Sequence, residues 1–82
     1  MTIRNIKTTE IEANEILEKG KRIIFRASQY YEIGNKITFL VFKKGKPVLN
    51  KIQNKRYEIT AVLTNENAPI EPGYTVIGFK EI

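Results

Sequence analysis

At Gly20 the hydrophobic period of this chain changes, and that switch limits the fold more than any other feature. Before it, "TTEIEANEILEKG" carries the signals of one helix: Thr9 followed by Glu12 forms a capping box, acids fill the first turns, and Gly20 is placed to end the helix after Lys19. Thr9, Ala13, Ile16, Leu17 and Gly20 fall on one stripe, which predicts a core-facing surface with the glutamates solvated. Beyond Gly20 the spacing is that of strands.

"RIIFRA" reads as a strand, "SQYYEIGN" as a loop ending in a turn at Gly34-Asn35, and "KITFLVFK" as a strand buried on both faces. Lys36 and Lys43 act as gatekeepers for that apolar segment. "KKGKP" is a hairpin turn, and "VLNKIQNK" reads equally as strand or loop. "RYEITAVL" alternates Tyr57, Ile59, Ala61 and Leu63 against Arg56, Glu58, Thr60 and Val62. After the loop "TNENAPIEPG", "YTVIGFKEI" is a last strand in which Gly78 permits a bend or a close approach. "TIRNI" adds a short strand before the helix. One helix with five or six strands, and no repeat or linker, predicts an α+β fold with a small curved sheet or barrel.

A chain of 82 residues fits a single domain, residues 1–82, and can bury only roughly 60–65% of its unfolded surface. It contains neither cysteine nor histidine, which excludes disulfides, thiolate nucleophiles, zinc sites of the usual ligands and Ser-His or Cys-His catalysis. No metal and no cofactor is expected. The longest apolar run, Phe39 to Phe42, is too short to span a bilayer, and the N-terminus lacks a signal-peptide pattern, so the expectation is a cytoplasmic protein with no membrane partner.

The net charge of +5 is unevenly spread: residues 1–18 carry −2, residues 19–56 carry +10 and residues 57–82 carry −3. A basic block of that density predicts a polyanionic partner, against the plainer use of lysines to keep exposed strands soluble.

The order of these pieces resembles the ASCH domain, a compact β-barrel of the PUA-like superfamily associated with RNA. In the place of the family signature, approximately G-x-K-T-x-E-x-R after the first helix, stands "KGKRIIFR", where Lys21 matches the lysine and Arg26 the arginine while Lys19 replaces the glycine. "YYEIGNKI" is similar to the family's F-x-V-G-D-x-I, with Tyr31 as the aromatic, Gly34 as the glycine and Asn35 for the aspartate. "RYEITAVL" and "EPGYTVIGF" resemble the later strands of short bacterial and phage-type members. The resemblance implies a PUA-like barrel of about five to six strands, with a cleft beside the first helix that accepts RNA or a nucleotide.

On that reading the nucleic-acid-binding residues are Lys21, Arg22, Arg26, Gln29, Tyr30, Tyr31, Lys55 and Arg56. Arg26 would serve as a fork for phosphate or base edges and Lys21 as a mobile charge. Tyr30 would stack on an unpaired base, with Gln29 reading a base edge. Strand alternation alone puts Lys21 and Arg26 on opposite faces, so both reach one cleft only through a bulge or a strand end. Some members look like amidohydrolases acting on acetylated cytidine, using a lysine and a threonine. Here Arg22 falls on the threonine of that signature and Ile24, two residues before the arginine, on its glutamate; neither offers a hydroxyl, which argues against catalysis. A protein-interaction module pairing an exposed strand edge such as "VLNKIQNK" with a protein partner is the other reading.

Overall fold

A strand runs without a loop into the helix at Thr9 in the computed structural model, which describes residues 3–27 and 30–82. Thr9 closes β1 (Ile3–Thr9) and caps α1 (Glu10–Lys19), because it keeps extended angles of φ −92° and ψ 162° while its hydroxyl accepts the Glu12 amide. Gly20 ends the helix at φ 70° and ψ 23°, a left-handed conformation in which its amide donates to the Glu15 carbonyl. The remaining elements are β2 (Ile23–Ala27), β3 (Lys36–Lys43), β4 (Lys46–Pro47), a 3-10 helix (Lys51–Asn54), β5 (Tyr57–Leu63) and β6 (Tyr74–Glu81).

The strands form one mixed sheet in the order β1-β3-β5-β6-β2, with β4 paired to β3. β1 runs parallel to β3 and the other pairs are antiparallel. The protein is therefore α+β with one helix, but the sheet is not closed. Its two edge strands, β1 and β2, approach within the length of one side chain, since Arg26 on β2 donates to the Lys7 carbonyl on β1 at 3.1 Å. A seam bridged by side chains stands where a closed barrel would have a ladder.

Inward positions on each strand supply the core. Ile6, Ile24, Ile37, Phe39, Val41, Tyr57, Ile59, Ile77 and Phe79 are buried together with Ala13 and Ile16 from the helix and Ile52 from the 3-10 helix. Thus Ala13, Ile16 and the half-buried Leu17 use the expected helical stripe. β3 is buried on one face only: Ile37, Phe39 and Val41 point in, while Leu40 is 37% exposed. The two-sided expectation fails because α1 packs on the inner face and, among the described residues, no second layer covers the outer one. "VLNKIQNK" is a loop and a 3-10 helix, capped by the Asn50 side chain accepting from the Ile52 amide at 3.0 Å, so it offers no strand edge.

β5 breaks its own alternation. A bulge between Ile59 and Ala61 shifts the register with β6, so that Val62 packs against the core while Ala61 pairs with Gly78 and Leu63 with Val76 on the outer face. The period-two reading holds for Tyr57 and Ile59 and inverts beyond Thr60. Gly78 lies beside this bulge, and a Cβ there would stand 3.3 Å from the Ala61 Cβ and 3.7 Å from the Thr60 hydroxyl. Gly78→Ala reduces unfolded-chain freedom by about 0.4–1 kcal/mol but crowds the bulge at a cost of about 1–3 kcal/mol. Urea unfolding should show a net loss of about 1 kcal/mol; a gain would mean that the bulge relaxes freely.

Candidate functional site

Glu12 is the hub of the polar surface beside the helix. It stands three residues after Thr9 and four before Ile16, so the buried stripe carries it toward β1 rather than into solvent. Its amide completes half of the capping box, donating to the Thr9 hydroxyl at 3.1 Å, but its carboxylate turns to other partners. Thr8, buried on β1, donates its hydroxyl to Oε1 at 2.5 Å, and Arg26 Nη2 reaches the same oxygen at 2.5 Å. Lys21 Nζ binds Oε2 at 3.3 Å and also lies 3.6 Å from Glu15. The Glu12 side chain keeps 18% exposure and that of Arg26 22%. Burial alone would raise the Glu12 carboxyl, but the hydrogen bonds from Arg26 and Thr8, together with the charge of Arg26, hold it below the usual carboxylate range. The expectation of solvated glutamates fails at this one position.

Lys21 and Arg26 thus meet on one carboxylate, and the obstacle of strand alternation disappears because Lys21 precedes β2. Arg26 is heavily engaged. Besides Glu12 and the Lys7 carbonyl, Nη1 donates to the Phe25 carbonyl at 2.7 Å, so these contacts use three of the five N–H groups of a guanidinium.

A cleft of about 530 Å³ opens over this hub, lined by Lys7, Thr8, Thr9, Glu12, Arg26, Phe42 and Gly45. The size suits a small ligand or part of a larger one. Parallel pairing sets Lys7 and Thr9 beside Leu40 and Phe42, and the Lys7 ammonium lies 5.4 Å from the centre of the Phe42 ring. A second recess of about 280 Å³ shares Lys7 and Arg26 and continues along the seam to Asn5 and Tyr31. Together they form a groove along β1 with an aromatic side chain at each end.

The β3–β4 turn borders this groove. Lys43 pairs with Lys46 across the two-residue connection Lys44-Gly45, and Lys43 Nζ lies 3.9 Å from Glu10 on the helix. Both turn residues have positive φ, 52° at Lys44 and 78° at Gly45, as in the tight hairpin turn that favours Asn-Gly. A lysine there costs conformational energy, and its neighbour Gly45 lines the cleft.

The other expected site residues lie apart or do structural work. Arg22 donates through Nη1 to the Ile16 and Lys21 carbonyls at 2.9 Å each, closing the helix C-terminus, and its guanidinium carbon lies 5.4 Å from the Tyr57 ring centre. Lys55 binds Glu81 at 3.2 Å, and Lys55 and Arg56 line a different hollow with Asn54 and Ile82. Tyr31 is half-buried against the core with Arg4 4.4 Å above its ring. Tyr30 is 77% exposed, and its hydroxyl donates to Glu32, whose proximity raises the phenol pKa. Gln29 lies outside the described residues. Sequence reasoning missed Glu12, Thr8, Lys7 and Phe42. Glu12 could have been found by its place on the helical stripe, whereas Lys7 and Phe42 meet only through parallel strand pairing. Among the described residues, no cluster of carboxylates could hold a metal, and no helix is long and apolar enough to cross a membrane.

No protein-family model matches the chain, and no curated protein matches it in sequence.

Proposed function

We propose that the protein is a binding module for single-stranded RNA or a nucleotide, and that the cleft between α1, β1 and the β3–β4 turn is where the ligand sits. The observation that carries this reading is a cleft lined by Phe42 and Lys7 and bordered, through Gly45, by the turn that bears the left-handed Lys44. An aromatic wall beside unsequestered ammonium groups suits a stacked base joined to a phosphate, whereas Arg26 and Lys21 are largely satisfied by Glu12. Lys44 and Lys46 are exposed and have no acid within ion-pair distance among the described residues. The basic central block and the ASCH-like order of elements support the same reading. Recognition would rest on stacking at Phe42, phosphate contacts from Lys7, Lys44 and Lys46, and hydrogen bonds from the polar floor of Thr8, Glu12 and Arg26.

The test is a titration of the nitrogen-15-labelled protein with short single-stranded RNAs at low and moderate salt. Amide shifts should concentrate on Lys7 to Glu12, Arg26 and Phe42 to Lys46, and each phosphate contact should add roughly 0.7 to the slope of log affinity against log salt. Phe42→Ala should weaken binding about 5- to 150-fold, the equivalent of about 1–3 kcal/mol of lost stacking. Lys44→Asn makes a sharper case because its two effects have opposite signs. Asparagine tolerates the left-handed turn, so stability should rise by about 0.5–1 kcal/mol while the salt slope falls by roughly 0.7. Absence of localised shifts at low salt, or shifts confined to Lys51, Lys55 and Arg56, would overturn this site.

A further inference from the structure

The floor of the cleft is charge-neutral, although two cations stand there. Lys21 and Arg26 face Glu12 and Glu15 at distances from 2.5 to 3.6 Å, so the positive and negative charges cancel. At the turn, Lys43 faces Glu10 at 3.9 Å. The charged side chains that line the cleft itself are Lys7, Glu12 and Arg26. Glu12 and Arg26 neutralise each other, and Lys7 has no acid within ion-pair distance among the described residues.

The neutral floor still has hydrogen-bonding capacity. Glu12 Oε1 accepts from both Thr8 and Arg26, whereas Oε2 accepts from Lys21 alone at 3.3 Å, which leaves an acceptor position of that oxygen open. Arg26 retains two N–H groups beyond those bound to Glu12, Phe25 and Lys7. The lowered pKa of Glu12 keeps its carboxylate charged at neutral pH.

We infer, on the reading of the cleft as an RNA or nucleotide site, that Glu12 sets its specificity by admitting an uncharged group with an N–H donor to the floor and excluding phosphate from it. The edge of a base supplies such a donor beside an acceptor, so the ligand enters base first and its phosphate stays outside, at Lys7. A phosphate on Arg26 would share the guanidinium with a carboxylate already bound at 2.5 Å, placing like charges side by side. A base N–H instead gains an ionised acceptor, the stronger kind of hydrogen bond. Lys21 and Arg26 are therefore no phosphate clamp, despite their charge.

Inorganic phosphate, titrated into the nitrogen-15-labelled protein at low salt and neutral pH, tests this without any RNA. In the wild type the Lys7 amide should move while the Arg26 Nε–H signal stays still; the four ribonucleosides, which are uncharged, should move the Arg26 and Glu12 signals. In Glu12→Gln, phosphate should reach Arg26 and bind at least about tenfold more tightly, because a like charge within a few ångströms has been removed. Loss of a purely structural strut would not produce that gain. Phosphate that moves the Arg26 signal in the wild type overturns the inference and needs no variant to show it. So does a folded Glu12→Gln protein whose phosphate affinity is unchanged. If RNA still gives localised shifts in either case, the proposed function survives alone; if neither RNA nor any nucleoside gives a response, both fall and Glu12 is left with its structural role.

Discussion

Replacing Glu12 by alanine should destabilise the protein by about 2–3 kcal/mol, measured by urea unfolding at neutral pH. Breaking a fully buried ion pair from one side costs about 3–5 kcal/mol, and the partial exposure of this network lowers the figure. The loss has three sources. Arg26 and Lys21 are left as neighbouring cations without their shared counter-charge, the buried Thr8 hydroxyl loses its acceptor, and the link from α1 to β2 across the open seam is cut. A double-mutant cycle with Arg26→Met should return a coupling of about 1–3 kcal/mol, and a coupling near zero would show that Glu12 is no strut.

The same residue shapes the acid side of the stability profile. Because its folded pKa is depressed, Glu12 contributes fully above the ordinary carboxyl value of 4.5, and that contribution is lost as pH falls through the folded value. Glu58 is shifted in the same direction by its hydrogen bond from Lys36, so Glu12→Gln should flatten the acid limb in part rather than abolish it. An acid limb unchanged in Glu12→Gln would assign the pH dependence to other carboxylates.

Phe39→Ala should have a still larger effect, a loss of about 3–5 kcal/mol. A chain of 82 residues has roughly 4–12 kcal/mol in total, so the variant would sit near the limit of folding. Phe39 is fully buried at the centre of β3, 5.5 Å from both the Tyr57 and Phe79 rings, which in turn contact each other edge-on at 5.3 Å and 81°. Truncation removes one ring of this trio, and with it the contact that joins three adjacent strands. The melting temperature should fall by roughly 12–40 °C, given about 4–8 °C per kcal/mol for a domain of this size. A loss below about 1.5 kcal/mol would mean that the core collapses into the space and that packing around Phe39 is loose.

These two residues differ in how far the sequence betrays them. Phe39 is legible: it sits in an apolar, β-branched run, and any strand through "KITFLVFK" buries it or its neighbour. Glu12 is half legible, since the capping box is written in the sequence but the destination of the carboxylate is not. Arg26 and Lys21 were placed beside the helix by resemblance, yet nothing local showed that an acid from that helix would occupy them. Lys7 and Phe42 were invisible as a pair because 35 residues separate positions that parallel pairing of β1 with β3 sets side by side.

The sequence by itself determined the elements: one capped helix ended by Gly20, strands at the alternating runs, and a basic centre between two acidic ends. Those features follow from local physics, in which side-chain period, capping hydroxyls and backbone freedom act within a few residues. Only the tertiary structure decided that the sheet stays open along β1 and β2, that a bulge in β5 turns Leu63 outward, and that the lysine turn rather than Lys55 and Arg56 borders the cleft. Each of those outcomes depends on strand order and register, which are set by the packing of distant residues into one core and carry no signature in any short stretch of chain.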